Sequence, residues 1–164
     1  MILSKVTRIC FVCLGNIVRS PLAEHMFNHL AAEIGVNGCY QVDSAGTGAW
    51  HAGEAPDGRM RRVAARYGLK YTGKARQFVR GDFEAFDWII AMDTNNRDRL
   101  LDLADSPEKA AKIRLMREFD PQGGPNAIVP DPYYGGIEGF EEVFQIVKRS
   151  CRGLLAALEA GDLA

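Results

Sequence analysis

The sequence has few cysteines, no long uncharged stretch and no excess of charge of either sign. Four cysteines in 164 residues are too few and too scattered for the disulfide framework of a small secreted protein, and they favour a reducing, cytoplasmic compartment. Charges interrupt every apolar run, which predicts neither a signal peptide nor a membrane span. The net charge of −1 predicts no nucleic-acid partner and no membrane partner.

Apolar runs typical of strands alternate with amphipathic segments typical of helices. With 164 residues, 47% of them apolar, the chain can form one core, so we expect a single domain over residues 1–164. The strand candidates are residues 6–12, 40–44, 86–92 and 113–116, and the helix candidates are 20–34, 59–67, 94–103 and a last helix around 140–155. This order predicts an α/β fold of three layers, in which helices flank a four-stranded parallel sheet and a site lies beyond the carboxyl ends of the strands.

A ten-residue segment joins the first predicted strand to the first predicted helix. Its sequence is Val12-Cys13-Leu14-Gly15-Asn16-Ile17-Val18-Arg19-Ser20-Pro21. Ser20 is predicted to cap the helix, with Pro21 at its first position. The N–H groups of a tight loop and of a helix start favour negative charge, so we predict a phosphate-binding loop after the first strand.

Five residues of this segment carry the chemistry of covalent phosphoryl transfer. A helix N-terminus and a neighbouring cation favour a thiolate, so we expect Cys13 to be an ionised nucleophile. Arg19 presents a planar guanidinium that matches two phosphate oxygens. Gly15 and Asn16 tolerate the left-handed backbone that curls N–H groups around an anion, and Ser20 is placed to donate to the sulfur.

Three other kinds of site fit the sequence less well. Cys10 and Cys13 match a Cys-x-x-Cys pattern, but in a strand they lie about 10 Å apart, beyond the roughly 7 Å limit of a disulfide, and no second ligand pair for zinc follows. His25 and His29 are one helical turn apart, yet beside an apolar helix face we expect them at the surface. The segment also lacks the Gly-Lys-Ser/Thr ending of a nucleotide-binding loop. The cysteines other than Cys13 are predicted to be packing residues.

Two further segments are notable. The helix near residues 59–67 has a basic outer face, formed by Arg59, Arg61, Arg62 and Arg66, which we expect to be solvated. Residues 117–136 are rich in proline and glycine, and a loop of this length is itself a sign of function. Within it, Asp131 on its own is typical of a turn before Pro132.

Together, the loop and the motif Asp131-Pro132-Tyr133-Tyr134-Gly135 resemble those of the low-molecular-weight protein tyrosine phosphatases. Shorter matches extend over nearly the whole chain: Asp43-Ser44-Ala45-Gly46-Thr47, Lys74-Ala75-Arg76-Gln77 and Ala91-Met92-Asp93. The resemblance implies hydrolysis of phosphotyrosine and aryl phosphate monoesters through a cysteinyl-phosphate intermediate, without a metal or other cofactor.

The resemblance also implies roles for individual residues. Cys13 would attack phosphorus in line, and Asp131 would protonate the departing phenolate and then activate water. An acid here also has a chemical reason, because a phenolate leaves poorly. Arg19 would hold the phosphate oxygens together with a set of loop residues: Leu14, Gly15, Asn16, Ile17, Val18 and Ser20.

Aromatic residues would complete the site by the same resemblance. Trp50 and Tyr133 would flank the substrate ring, with Tyr134 in a similar but less direct role, while Ser44 would support Asn16. We therefore expect phosphotyrosine-containing proteins or peptides as partners, a tyrosine kinase among them, and a monomeric enzyme. Two alternatives stay open: a thiol-dependent arsenate reductase of the same fold, and a phosphotyrosine-binding module without turnover.

The sequence departs from the family pattern at two positions. Val18 stands where the family usually carries a second loop cysteine that can shield the nucleophile in a disulfide, so Cys13 is expected to oxidise further more readily. Gly73 stands where family members commonly have a histidine that supports the loop asparagine. Because Asn16 and Ser44 can still pair, we expect a weakened support of the loop rather than a lost one.

Overall fold

The computed structural model describes residues 5–163 and has a central sheet of four parallel strands. These are β1 (Thr7–Cys13), β2 (Tyr40–Gly46), β3 (Trp88–Ala91) and β4 (Ile113–Leu115). Their spatial order is β2-β1-β3-β4, so β1 has a hydrogen-bonded neighbour on each side. The predicted α/β fold class with a four-stranded parallel sheet is confirmed.

Six α-helices are found in residues 5–163. They are α1 (Arg19–Glu33), α2 (Gly58–Arg66), α3 (Asp82–Ala85), α4 (Thr94–Leu103), α5 (Pro107–Ala110) and α6 (Ile137–Glu159). The sequence did not predict α3 and α5, because a helix of four residues is too short to show a periodic apolar pattern. The third and fourth strands are shorter than predicted, since Phe86 ends α3 and Met116 begins a 3-10 turn.

Alternate residues of β1 pack on opposite faces of the sheet. Phe11 lies on the face covered by α1, α2 and α6, and Val12 lies on the face toward α3 and α4. On the first face, the ring centres of Phe11 and Phe27 of α1 are 6.1 Å apart. Full burial of such a side chain stabilises the fold by on the order of 1.5–3 kcal/mol, so the strand that ends at Cys13 is anchored from both sides.

The carboxyl ends of the strands meet at one edge of the sheet. Cys13 pairs with Gly46 of β2, and Val12 pairs with Ala91 of β3. The loops that leave this edge are therefore brought together, whatever their separation along the chain.

The start of α1 differs from the prediction. Val18 occupies the N-cap position, Arg19 is the first helical residue, and no side chain caps the helix. The predicted cap at Ser20 is wrong, because its hydroxyl is engaged by Cys13 and Asn16 instead. The N–H groups of the first turn are thus left without a side-chain acceptor, which suits the binding of an anion.

Two of the three cysteines predicted to pack do so. Cys10 and Cys151 are fully buried, whereas Cys39 is exposed in a 3-10 turn before β2, so that prediction is wrong for Cys39. In the part of the chain that the structure describes, none of the helices has both the length and the apolar character needed to cross a bilayer.

Candidate active site

A cavity of about 420 Å³ lies beyond the carboxyl end of β1. Its walls come from a phosphate loop (residues 13–20), from residues 50–51, and from an acid loop (residues 131–135). The lining residues are Cys13, Leu14, Gly15, Ile17, Val18, Arg19, Trp50, His51, Asp131, Tyr133 and Tyr134. The fold thus brings the predicted nucleophile, guanidinium and acid to one cavity, although Arg19 and Asp131 are 112 positions apart.

The thiol of Cys13 lies at the floor of the phosphate loop. Its sulfur is 3.0 Å from the Ser20 hydroxyl oxygen, and the residue is 3% exposed. A hydroxyl at this distance can donate to a thiolate and stabilise it, both before attack and when the sulfur leaves phosphorus.

Asn16 supports the loop from behind. Its φ of +56° is left-handed, and its Nδ2 donates to the hydroxyls of Ser20 at 2.8 Å and Ser44 at 3.0 Å. Its Oδ1 accepts from the backbone N–H of Arg76 at 3.0 Å. The side chains of Asn16 and Ser20 are buried and are not among the residues that line the cavity, and their hydrogen bonds fix the shape of the loop.

Gly15 has a role different from the predicted one. The φ angle of Gly15 is not positive. The expectation of left-handed geometry is therefore wrong for Gly15. A Cβ there would lie 2.9 Å from Cδ2 of His51, so the glycine permits the imidazole to pack on the loop. His51 also lies 2.6 Å, through Nδ1, from Glu54 Oε2.

Arg19 is fixed by groups from two other segments. Its Nη1 donates to Asp93 Oδ2 at 2.7 Å and to the carbonyl of Val129 at 3.0 Å, while Nη2 lies 3.5 Å from Asp131 Oδ2. The residue is 2% exposed. Holding Nη1 orients the planar guanidinium toward the cavity, which favours bidentate contact with phosphate oxygens.

Sequence reasoning missed two residues of this site, Asp93 and His51. Asp93 follows β3 and also caps α4 together with Asn96. Its position two residues after a strand that neighbours β1 could have revealed it, since parallel strands end at the same edge. His51 directly follows Trp50, which was predicted to contact the substrate ring, and this position in the sequence could have indicated a place in the site.

The acid loop is more exposed than the phosphate loop. The Asp131 side chain is 41% exposed, and its Oδ1 accepts from the backbone N–H of Tyr133 at 3.1 Å. A second bond, from the N–H of Gly135 to the carbonyl of Pro132 at 2.9 Å, closes the turn. The loop therefore holds Asp131 through its own local geometry and a few outside contacts.

Aromatic side chains form the rim of the cavity. Trp50 is 69% exposed and packs on Gly48, where a Cβ would lie 1.8 Å from the indole ring. The rings of Tyr133 and Tyr134 meet edge to face with centres 5.0 Å apart, and Tyr134 is 97% exposed. An aryl group bound above Cys13 would meet apolar ring surface here.

Behind the phosphate loop, the region around Gly73 contains a smaller cavity of about 180 Å³. Gly73 has a φ of +150°, which favours glycine. Ser44, the partner of Asn16, donates from its hydroxyl to Glu24 Oε1 at 2.6 Å. Burial raises the pKa of Glu24, while the bond from Ser44 acts to lower it. Asn16 and Ser44 are thus paired without a side chain at position 73.

The remaining cysteines and histidines lie away from the nucleophile or apart from one another. Cys39 precedes β2, whose first residue pairs with Thr7 at the opposite end of β1 from Cys13. The Cys151 thiol is buried under α1 and donates to the Ala23 carbonyl at 3.6 Å. Within residues 5–163, none of the four cysteines forms a disulfide, Cys39 lies at the far end of the sheet from Cys13, and Cys151 is buried and bonded to a carbonyl of α1. The described part of the chain thus offers no exposed thiol beside the cavity to resolve an adduct on Cys13, which disfavours the arsenate reductase.

The two histidines of α1 do not form a pair. His25 stacks on Tyr71, with ring centres 4.9 Å apart, and His29 lies 3.1 Å from the carboxylate of Glu33. Among residues 5–163, no group of three or more His, Cys, Asp or Glu side chains is arranged to hold a metal ion.

Comparisons with known proteins agree on one family. A family model described as low molecular weight phosphotyrosine protein phosphatase matches residues 8–162. A low molecular weight protein-tyrosine-phosphatase of Streptomyces coelicolor is 45% identical over 152 residues, which cover 92% of this chain and 93% of that one. A human low molecular weight phosphotyrosine protein phosphatase is 39% identical, over 90% and 92% of the two chains.

A solved structure gives the same result. A protein tyrosine phosphatase of Entamoeba histolytica superposes with a TM-score of 0.91 at 39% identity, and the match covers 96% of this chain and 99% of that one.

Proposed function

Because the chain belongs to the low molecular weight phosphotyrosine protein phosphatase family, we propose that Cys13, Arg19 and Asp131 carry out its hydrolysis of phosphotyrosine. One observation carries the assignment: these three side chains line a single cavity, in which Arg19 Nη2 lies 3.5 Å from Asp131 Oδ2. The reaction is a phosphoric monoester hydrolysis, and it proceeds in two displacement steps at phosphorus.

In the first step, the Cys13 sulfur attacks phosphorus in line. A sulfur–phosphorus bond forms, the bond from phosphorus to the phenolic oxygen breaks, and Asp131 transfers its proton to that oxygen. Arg19 and the N–H groups of the phosphate loop bind the three equatorial oxygens, over which negative charge is spread in the transition state. A loop fixed before the substrate arrives needs no reorganisation at that moment.

In the second step, the Asp131 carboxylate takes a proton from water as the water oxygen attacks phosphorus. The sulfur–phosphorus bond breaks, inorganic phosphate leaves, and the thiolate is restored. The Ser20 hydroxyl, 3.0 Å from the sulfur, donates to the departing thiolate. One carboxyl group therefore serves first as acid and then as base.

The cavity favours an aryl phosphate. Trp50, Tyr133 and Tyr134 supply ring surface around the space above Cys13, and aromatic contacts contribute about 0.5–1.5 kcal/mol beyond the burial of area. The partners are phosphotyrosine-containing proteins or peptides, and a tyrosine kinase that carries phosphotyrosine belongs to that class. All of the proposed residues come from one chain, which is consistent with a monomeric enzyme.

Phosphate release from a phosphotyrosine peptide tests the proposal. We expect Cys13→Ser to reduce turnover to the background rate and still to bind inorganic phosphate, whereas Cys39→Ser, which changes an exposed thiol away from the cavity, keeps full activity. A chelator should leave the rate unchanged. Turnover by Cys13→Ser above background would overturn the assignment of the nucleophile.

A chemical quench during turnover tests the intermediate. Mass spectrometry should find phosphate on the peptide that contains Cys13. With a nitrophenyl phosphate, whose leaving group needs little protonation, the amount should rise in Asp131→Asn if Asp131 activates the water. Labelling without turnover in the unmodified protein would favour the phosphotyrosine-binding module instead.

A further inference from the structure

Arg59 differs from its neighbours on the basic face of α2. Its Nη1 donates to the carbonyl oxygen of Tyr133, in the acid loop, at 3.0 Å. Its guanidinium carbon lies 5.1 Å from the centre of the Tyr133 ring and 4.6 Å from that of Phe140. The prediction of a solvated side chain is therefore wrong for Arg59, because it contacts two rings and a carbonyl group.

Asp57 binds the other side of the same guanidinium. Its carboxylate accepts from Nε of Arg59 at 3.2 Å and from Nη2 at 2.9 Å, and it caps α2 by accepting from the backbone N–H of Arg59 at 2.8 Å. Partial burial acts to raise the pKa of Asp57, but the hydrogen bonds from Arg59 outweigh burial and hold that pKa below its ordinary value. The pair therefore stays ionised at neutral and mildly acidic pH.

These two residues connect the two loops of the active site. The backbone N–H of Asp57 donates to the carbonyl of Ile17, in the phosphate loop, at 2.8 Å. At the other end, the N–H of Tyr133 donates to Asp131 Oδ1 at 3.1 Å. A continuous series of hydrogen bonds thus runs from the phosphate loop, through Asp57 and Arg59, to the turn that carries Asp131.

We propose that Arg59 is a positioning residue that fixes the Asp131 turn relative to the phosphate loop. The inference rests on the proposed role of Asp131 as general acid. Proton transfer needs a donor within about 2.6–3.2 Å of the leaving oxygen, and a displacement of about 1 Å can reduce a rate about 100-fold. Because Asp131 is 41% exposed, it depends on the few contacts that anchor its loop.

The chemistry of the linkage requires arginine. Arg59 uses Nε and Nη2 on the carboxylate of Asp57 while Nη1 reaches the Tyr133 carbonyl. A lysine has one nitrogen at the end of a flexible chain and cannot occupy both sides at once. Arg59→Lys should therefore keep the charge and part of the packing but lose the link.

The test uses a series of aryl phosphates whose leaving groups range from nitrophenols to phenol. For each variant, kcat/KM is plotted against the pKa of the leaving phenol, since this slope reports whether the leaving oxygen is protonated in the transition state. The variants are Arg59→Met, Arg59→Lys, Asp131→Asn and Arg59→Met combined with Asp131→Asn. Arg62→Met is the matched control, because Arg62 is an exposed arginine of the same helix.

We expect Arg59→Met to lower kcat/KM about 10-fold or more for phenyl phosphate, to change it little for the best leaving group, and to steepen the slope. Arg59→Lys should behave in the same direction, and its retained stem guards against a loss of folding, which circular dichroism checks. In the Asp131→Asn background, Arg59→Met should have no further effect on the slope, because both changes act through one proton transfer.

Three results would overturn one claim or the other. If Asp131→Asn leaves the slope unchanged, the proposed acid is wrong. If Asp131→Asn steepens the slope but folded Arg59→Met and Arg59→Lys do not, Asp131 is the acid and Arg59 does not position it. Full additivity in the double variant also contradicts the proposal for Arg59.

Discussion

The phosphate loop and the acid loop of this enzyme are built in opposite ways. In the phosphate loop, Asn16, Arg19 and Ser20 are each 3% exposed or less. Their hydrogen bonds reach β2 and three positions outside the sheet, Arg76, Asp93 and Val129. In the acid loop, the Asp131 side chain is 41% exposed and Tyr134 is 97% exposed. The loop proposed to bind the phosphate group is buried in the core, whereas the loop proposed to transfer the proton is exposed at the surface.

The difference follows from what each loop does. A preorganised set of donors stabilises a transition state only if it does not have to rearrange when charge appears, and burial keeps the phosphate loop fixed. In the proposed mechanism, the acid loop admits a phosphotyrosine side chain and releases a phenol, and a loop with few outside contacts suits these movements. The contrast predicts that changes in the phosphate loop affect stability and rate together, while changes in the acid loop affect mainly the rate.

The largest effect is expected at Arg19, which belongs to the phosphate loop and contacts Asp131 of the acid loop. Arg19→Lys should reduce kcat/KM by on the order of 100- to 1,000-fold, as the loss of an oxyanion donor does, because one ammonium cannot bind Asp93, the Val129 carbonyl and the phosphate oxygens at once. Steady-state kinetics with a phosphotyrosine peptide measures this, with Arg97→Lys as the matched control on α4. A loss of less than tenfold would contradict the assigned role.

The second prediction concerns Asn16 and tests the burial of the phosphate loop. Asn16→Gly keeps a residue type suited to a φ of +56° but removes three hydrogen bonds, and each buried group left unsatisfied destabilises the fold by about 1–3 kcal/mol. Asn16→Ala should be about 1–2 kcal/mol less stable again, because alanine resists left-handed geometry. Urea unfolding gives both free energies.

Tyr134→Ala is the counterpart of Asn16→Gly in the acid loop. Its free energy of unfolding should stay within about 0.5 kcal/mol of the parent protein, as expected for an exposed side chain. If Asn16→Gly and Tyr134→Ala lowered the free energy of unfolding equally, the proposed difference in stability contribution between the two loops would be wrong.

A smaller effect is expected on the rim. Trp50→Ala should raise KM for a phosphotyrosine peptide roughly two- to tenfold, the equivalent of about 0.5–1.5 kcal/mol of aromatic contact, and leave kcat and stability nearly unchanged. Val79→Ala, which truncates another exposed apolar residue outside the cavity lining, serves as control. A fall in kcat at unchanged KM would mean that Trp50 acts on the chemistry instead.

The smallest effect is expected at Glu24, behind the phosphate loop. Burial raises the pKa of Glu24 in the folded chain above its ordinary value of 4.5, so the native state binds this proton more tightly than the unfolded state. Its contribution to stability is therefore present at low pH and is lost as pH rises through the raised pKa.

Glu24→Gln removes that titration and keeps an acceptor for Ser44. Relative to the parent protein, the variant should gain stability, by less than about 1 kcal/mol, between about pH 4 and neutral pH. Urea unfolding across this range measures the difference. A variant that loses stability relative to the parent as pH rises would show that the ionised carboxylate supports the loop.

Local patterns predicted most of the framework. The apolar run that ends at Cys13, and the order of strands and helices after it, were enough to predict a parallel sheet with a site at its carboxyl edge. Periodicity gave no signal for the one-turn helices. The cap at Ser20 was wrong because the same hydroxyl is engaged by Cys13 and Asn16 of its own loop. The curl of that loop, which brings these side chains together, has no periodic pattern from which it could be predicted.

The contacts that complete the site could not be read from neighbours in sequence. Arg19 meets Asp93 across 74 positions, and Arg59 meets Tyr133 across another 74. On a helix, an arginine that holds a distant carbonyl and an arginine that points into solvent produce the same pattern, so Arg59 was predicted to be solvated. The two cases can be distinguished only when the three-dimensional structure shows which distant segment lies beside the arginine.

The two tryptophans of this protein lie toward opposite ends of the sheet. Trp88 begins β3 beside Ile9 of β1, whereas Trp50 stands on the cavity rim with most of its ring in solvent. Indole emission responds to contact with water, so a ligand that covers Trp50 changes the fluorescence of one tryptophan and leaves the other as an internal reference. Ligand binding in the cavity can therefore be followed by the intrinsic tryptophan fluorescence of the unlabelled protein.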